Sequence, residues 1–201
     1  MAGFTRANIS TLRTWVLGRP RLHNANRPYP PVIKAADRQR QDMLSFINLI
    51  EVHVLVALRR IHSISLSKIR KAVEWLHKET RFDHPLAELK IETDGFNLFI
   101  RYLGELVSAS EQGQIVIRDI VERFMRRVGR DVHGLPELFF PFTYAEIGKE
   151  CPMEVVINPA VAFGRPVMRG TRVSTEIVFE RYTAGESVTN IAALRSGAET
   201  R

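Results

Sequence analysis

One cysteine, Cys151, stands in 201 residues, so an internal disulfide is excluded and a reducing compartment, the cytoplasm, is expected. Long apolar runs are missing too. Nothing approaches the roughly 18 consecutive apolar residues of a spanning helix, and Met1 is not followed by a basic region and an apolar run. The chain is therefore expected to be neither exported nor membrane-bound. Metal chemistry lacks its ligands: His23, His53, His62, His77, His84 and His133 form no H-x-x-x-H or H-x-H pair, and Cys151 has no thiol partner. No glycine loop followed by lysine is present to cradle phosphates, and Glu88, Glu92 and Asp94 carry no mark of an acid/base pair. Catalytic residues, metals and cofactors are accordingly expected to be absent, and the chain is expected not to be an enzyme.

Acidic charge is scarce in one half only. Residues 1–80 hold 14 Lys/Arg against 5 Asp/Glu, a net +9, whereas residues 81–201 hold 15 against 17, a net −2. A cationic N-terminal part attracts phosphate backbones, although such a face also serves solubility.

Two helix-length segments organise the chain. Between Ser45 and Arg60, Phe46, Leu49, Ile50, Val54, Ala57 and Leu58 make one apolar stripe, widened by Ile47, Val52, Leu55 and Val56, so this helix must be covered on most sides. His53 lies within it and is expected to be packed rather than ligating. From Ser65 to Glu79 the buried set is narrower: Leu66, Ile69, Ala72, Val73 and Leu76. Ser45 and Ser65 each fit an N-cap.

Ahead of them, Asn8 to Gly18 reads as a short helix with Ile9, Leu12, Trp15 and Val16 inward and Gly18 as its stop. Ser10, Thr11, Arg13 and Thr14 are left outside. Such side chains suit phosphates and base edges, and equally suit an ordinary amphipathic exterior. Between Gly18 and Gln41 the prolines exclude a helix, and Arg19, Arg21, Arg27, Lys34, Arg38 and Arg40 make the segment basic. Pro31–Lys34 and Met43–Ser45 would pair as two strands around a tip at Ala36–Asp42, a wing placing Arg38 and Arg40 on phosphates or in a minor groove; the alternative is a flexible basic loop.

Residues 5–80 resemble the winged helix-turn-helix of the MerR group, on Ser10-Thr-Leu-Arg-Thr-Trp15, Leu44-Ser-Phe46 and Ile64-Ser-Leu-Ser-Lys-Ile-Arg70. That resemblance implies a homodimer reading double-stranded DNA, although only Met1–Ala7 is available for the helix that normally precedes the reading helix.

The middle of the chain is expected to be a small antiparallel β meander. His84 to Thr93 runs from a helical turn into a strand, Asp94-Gly95 makes a tight turn, and Phe96–Tyr102, Leu103–Ser108 and Gln114–Ile117 follow as strands. A helix over Arg118–Val128 is expected next, with Ile120, Val121, Phe124 and Val128 inward and Arg123, Arg126, Arg127 and Arg130 as an exposed basic face. Leu135–Phe142, broken twice by proline, would cover a core as an extended segment.

Further on, Val155–Ile157 and Pro166–Met168 read as short strands, with Gly164 and Gly170 allowing sharp bends. Ser174 or Thr175 caps a helix bearing Ile177, Val178, Phe179 and Tyr182; Gly185 ends it, and Glu186 or Ser187 starts another. Arg165, Arg169 and Arg172 surround the two glycine bends, where they would hold a partner's carboxylates or phosphates or merely cover the sheet edge.

Ile157-Asn-Pro, Gly164-Arg-Pro-Val, Gly170-Thr-Arg-Val and Ala184-Gly-Glu-Ser together resemble the bacterial domain of unknown function 433. The order of the three regions is similar to that of longer DNA-binding antitoxins of the VapB type. This resemblance implies an antitoxin that binds and neutralises a PIN-domain ribonuclease and represses its own operon. Relatives continue past the position of Leu194 with an acidic linker and a third helix, so the domain here is expected to lack its last helix.

The expected fold is α+β, in three parts: a winged helix-turn-helix over 1–82 with two following helices, a small antiparallel β region with one helix over 83–149, and the short-strand and helical-corner domain over 150–201. Two other readings stand beside the antitoxin: a protein-interaction adaptor without DNA binding, and a transcriptional regulator responsive to a small ligand held in a closed apolar pocket.

Overall fold

The computed structural model describes residues 8–18, 30–35, 43–60, 64–142 and 152–197. It is an α+β architecture: an N-terminal helical region, a small antiparallel β region and C-terminal helices. The chain divides into two compact units, Met1–Arg126 with Val132–Pro136, and Arg127–Asp131 with Glu137–Arg201. Among the described residues no helix is long and apolar enough to cross a membrane.

Among the described residues the first unit holds six helices: α1 (Ile9–Leu17), α2 (Phe46–Arg60), α3 (Leu66–Thr80), the single turn α4 (Pro85–Glu88), α5 (Asp94–Val107) and α6 (Glu111–Met125). Helix α2 is the beam. Every residue from Asn48 to Leu58 is buried, because α4 and α6 pack against it and its apolar positions run almost all the way round. Its start is a reciprocal cap: the Asn48 amide donates to Ser45 Oγ at 3.1 Å, and the Ser45 amide donates to Asn48 Oδ1 at 3.3 Å. Ser65 caps α3 by accepting from the Lys68 amide. Helix α3 buries Ile69, Ala72, Val73 and Leu76 against α5, where Trp75 stacks on Tyr102 with centroids 4.6 Å apart.

The meander expected in the middle is helical instead. Asp94-Gly95 is the first turn of α5 after the Thr93 cap, and Phe96, Phe99, Ile100 and Leu103 fall at the three- and four-residue spacing of its buried face. Ser108 closes this helix in the left-handed conformation, and Ser110 caps α6 by accepting from the Gly113 amide at 3.2 Å. The supposed strand Gln114–Ile117 lies inside α6. Ile117, Val121, Phe124 and Met125 are its core residues, whereas Ile115 and Val116 are more than half exposed, so an apolar triplet that reads as a strand crosses from one helix face to the other.

No strands form at Pro31–Lys34 or Met43–Ser45, and no winged helix-turn-helix is present among the described residues. The amides of Val32 and Ile33 instead both donate to the carbonyl of Trp15, at 2.7 and 3.1 Å, which ties this extended segment to the end of α1. The Asn48 side-chain amide holds the Lys34 carbonyl at 2.9 Å, and Arg70 Nε holds that of Pro30 at 3.0 Å. The proposed wing tip, Ala36–Asp42, lies outside the described residues.

β1 (Val128–Arg130) pairs with β2 (Pro136–Phe139), which belongs to the second unit from Glu137 on, and β3 (Val155–Val156) runs antiparallel to β4 (Val167–Met168), Val155 opposite Met168 and Val156 opposite Val167. A bridge between Phe139 and Ile157 joins the two pairs, and Phe139, Val156, Ile157 and Val167 form the small core. As expected, Phe139 and Phe142 of the extended segment are buried.

Helix α6 stops at Met125, three residues short of the expected end, and Arg127 is not on an exposed basic face. It is 4% exposed, donates through Nη1 to the carbonyls of Phe140 and Pro141 at 3.3 Å, and stacks over the Phe142 ring at 4.2 Å. Helices α7 (Thr175–Thr183) and α8 (Val188–Gly197) follow β4.

Candidate functional site

The proposed reading helix is α1. Leu12, Trp15 and Val16 anchor it as expected, while Ile9 is 60% exposed and not inward. Asn8 caps it, accepting from the Ser10 amide at 3.0 Å and the Ser10 hydroxyl at 3.1 Å. Thr14 Oγ1 donates to the Ser10 carbonyl, so the hydroxyl protons of Ser10 and Thr14 are committed within the helix. Thr11 is half-buried and Arg13 is exposed, which leaves Arg13 as the cation this helix presents. Lys34 is exposed beside Asp83, 3.5 Å away, a solvated pair of little energetic weight. Arg19, Arg21, Arg38 and Arg40 lie outside the described residues.

The C-terminal hairpin follows its expected pattern closely. After β3, Asn158 Oδ1 accepts from the Ala160 amide, and the Asn158, Val161 and Ala162 carbonyls accept from the amides of Val161, Gly164 and Arg165. Ala162, Phe163 and Gly164 are all left-handed, with φ of 48, 57 and 74°. Glycine tolerates that region, but a bulky aromatic there is an outlier. Phe163 is also 101% exposed. At the other end of β4, Gly170 with φ 78° makes the second bend, which Thr171 closes by donating to the Met168 carbonyl and accepting from the Val173 amide.

Arg165, Arg169 and Arg172 are all exposed on this hairpin. Arg165 lies 3.7 Å from Glu176, both side chains about two-thirds exposed, and Arg169 sits 5.4 Å above the Phe140 ring. The three do not converge on one point. Arg165 is on the side of the Phe163 turn, and the other two flank the Gly170 bend.

Beyond the hairpin, Ser174 caps α7 by accepting from the Ile177 amide, and Ser187 caps α8 by accepting from that of Asn190. Gly185, φ 86°, makes the corner. Helix α7 has no buried residue: Ile177 is 44% exposed, Phe179 67% and Tyr182 61%, with Val188 of α8 at 69%. These two short helices therefore leave four large apolar side chains in solvent.

Residues 155–194 match the family model described as protein of unknown function (DUF433). The match begins at β3 and ends in α8, spanning the hairpin and the helical corner. The chain is also similar to a crystal structure described as that of Rv2018 from Mycobacterium tuberculosis, with a TM-score of 0.69 and 22% identity over 96% of this chain and 87% of that one. At that identity the likeness establishes a shared fold. No curated protein matches the chain in sequence.

Sequence reasoning missed two other features. One is a buried polar cluster under the Pro30–Ala35 segment. Glu51, almost fully buried, receives the Asn48 side-chain amide at 3.0 Å and faces His84 Nδ1 at 3.1 Å, and the His84 amide donates to Glu88 Oε1 at 2.8 Å. The hydrogen bond to Glu51 raises the His84 pKa against the opposing effect of burial, and the charges of Glu51, Glu88 and Asp83 add to it. Its signal was available: Asn48 and Glu51 are polar residues three apart on a helix that must be covered. By contrast His53 is packed as expected, with Nε2 donating to the Phe124 carbonyl at 2.9 Å. The second feature is an open groove of about 400 Å³ between α5 and α6, with Asn97, Leu98, Arg101, Gln114, Ile115 and Arg118 in its walls. It is neither closed nor uniformly apolar, as a small-ligand sensor would need. Among the described residues no cluster of His, Cys, Asp and Glu is arranged for a metal.

Proposed function

We propose that the chain is an antitoxin whose DUF433 segment docks on and silences a PIN-domain ribonuclease, and that its cationic N-terminal part, acting in a homodimer, represses its own operon on double-stranded DNA. The observation that carries the reading is the uncovered α7–α8 face, where Ile177, Phe179, Tyr182 and Val188 stay exposed. Aromatic anchors of this kind dominate protein interfaces once their surroundings are dried. The cationic rim of Arg165, Arg169 and Arg172 complements a ribonuclease whose site is lined by carboxylates.

Co-expression of the full chain with the product of the adjacent reading frame tests this directly. The proposal expects a ribonuclease that copurifies at a fixed ratio, is inactive in the complex, and regains activity when Phe179→Glu or Tyr182→Glu is introduced. An unaffected ribonuclease, or copurification that survives both substitutions, would overturn it.

An adaptor without DNA binding is the second reading. It is favoured by the missing wing strands and by the Pro30–Ala35 segment being tied down on Trp15, Asn48 and Arg70.

A further inference from the structure

The buried Glu51–His84 pair is the titratable cluster that the antitoxin reading leaves unused. Glu51 is 3% exposed and accepts two hydrogen bonds, from the Asn48 side-chain amide at 3.0 Å and from His84 Nδ1 at 3.1 Å. The same amide group of Asn48 donates to the Lys34 carbonyl at 2.9 Å, so one wholly buried side chain touches both the carboxylate and the Pro30–Ala35 segment. That segment is fastened elsewhere by the Val32 and Ile33 amides on the Trp15 carbonyl and by the buried Ile33 side chain. In the sequence it separates Arg19, Arg21 and Arg27 from Arg38 and Arg40.

A carboxylate kept this dry is costly unless a cation faces it. Protonated His84 is that cation, and with 23% of its side chain exposed it can exchange a proton with solvent from which Glu51 is shielded. The other carboxylates acting on it, Glu88 of α4 and Asp83 just before it, also favour the imidazolium, while Lys34 of the segment faces Asp83 at 3.5 Å. When the imidazolium gives up its Nε2 proton to solvent, Nδ1 still donates to Glu51 but the charge is no longer balanced. Water that then reaches Glu51 competes for the Asn48 donor that also holds Lys34.

We propose that His84, Glu51 and Asn48 form a proton-operated latch, which keeps the Pro30–Ala35 segment docked on Trp15 and Asn48 while the imidazole is charged and loosens it as that charge is lost. Linkage makes the relation reciprocal, so a docked segment also favours the imidazolium. The cluster lies wholly in the first unit, and the inference stands whether or not the chain is an antitoxin.

Amide hydrogen exchange of the full chain at about pH 5.5 and about pH 8.5, each rate divided by the intrinsic rate at that pH, reads opening of the segment through Val32 and Ile33. Wild-type protection there should fall by about fivefold or more between the two conditions, and should stay below that of the α2 core amides at both. His84→Gln should give the same protection at both pH values, no higher than wild type at the upper one. Glu51→Gln needs no counter-charge and should hold the segment more tightly than wild type at the upper pH, a rescue that a merely structural His84 would not give. Equal wild-type protection at the two pH values, a pH response that persists in His84→Gln, or Glu51→Gln no better protected than wild type at the upper pH would each overturn the latch. So would protection of Val32 and Ile33 equal to that of α2, the mark of a segment that opens only when the whole unit unfolds.

Discussion

His84 Nδ1 lies 3.1 Å from Oε2 of Glu51, a carboxylate almost wholly buried on the central helix. The pair joins α4 to α2, and Asn48, which also holds the Lys34 carbonyl, supplies the second hydrogen bond to Glu51. Because the folded-state pKa of His84 is raised above its ordinary 6.5, the stability it contributes is fully present below that value and is lost as pH rises through the raised one. Urea denaturation from about pH 5.5 to about pH 8.5 should show wild type losing stability relative to His84→Gln as pH rises. A gap between the two that does not change with pH would contradict this account.

Asn48→Ala removes one donor to Glu51 and frees the Lys34 carbonyl, so it should cost about 2–3 kcal/mol by denaturation. The same variant should make the chain near Lys34 more sensitive to limited trypsin digestion, since one of the ties on the Pro30–Ala35 segment is gone. Wild-type cleavage kinetics would show that the tie does not matter.

Arg127 is held by two carbonyls and by the Phe142 ring, so its loss should resemble the loss of a core residue. Arg127→Ala should destabilise by about 3 kcal/mol. Arg127→Lys should recover only part of that, because an ammonium cannot match the planar stack. Arg126, exposed and paired with Glu122 on the helix surface, should tolerate alanine within about 0.5 kcal/mol, and the contrast between the neighbours is the readout.

In the proposed operator binding, Arg13 is the cation that α1 presents. Arg13→Ala should leave the melting temperature unchanged while lowering retention of the chain's own upstream duplex in filter binding, and the salt slope should fall by about 0.9 for a single phosphate contact. Retention of no specific duplex over competitor by wild type would favour the adaptor.

The helices α1, α2 and α3 could be read from the sequence because the apolar period and the capping side chains of Asn8, Ser45 and Ser65 agree. The hairpin was equally readable, since Gly164 and Gly170 stand where the backbone needs φ above zero. Helices α5 and α6 were misread for a physical reason. Asp94-Gly95 opens a helix as readily as a hairpin, and the exposed Leu98, Ile115 and Val116 fill the gaps in the helical period so that it imitates alternation. Arg127 was misplaced because nothing in Arg126-Arg-Val128 tells where a helix ends, and two residues past that end the same side chain faces the interior. The conformation of Phe163 had no signal in its residue type, and the contact between Glu51 and His84 spans 33 positions that no local pattern connects.

The central claim is that the α7–α8 corner is a covered surface in the working complex. Amide hydrogen exchange of the full chain, alone and with the proposed PIN-domain ribonuclease, measures it most directly. The account predicts slowed exchange concentrated in Thr175–Leu194, around Phe179 and Tyr182, with the α2 core unchanged. Exchange in that stretch that is the same with and without the ribonuclease, or protection confined to other helices, would contradict it.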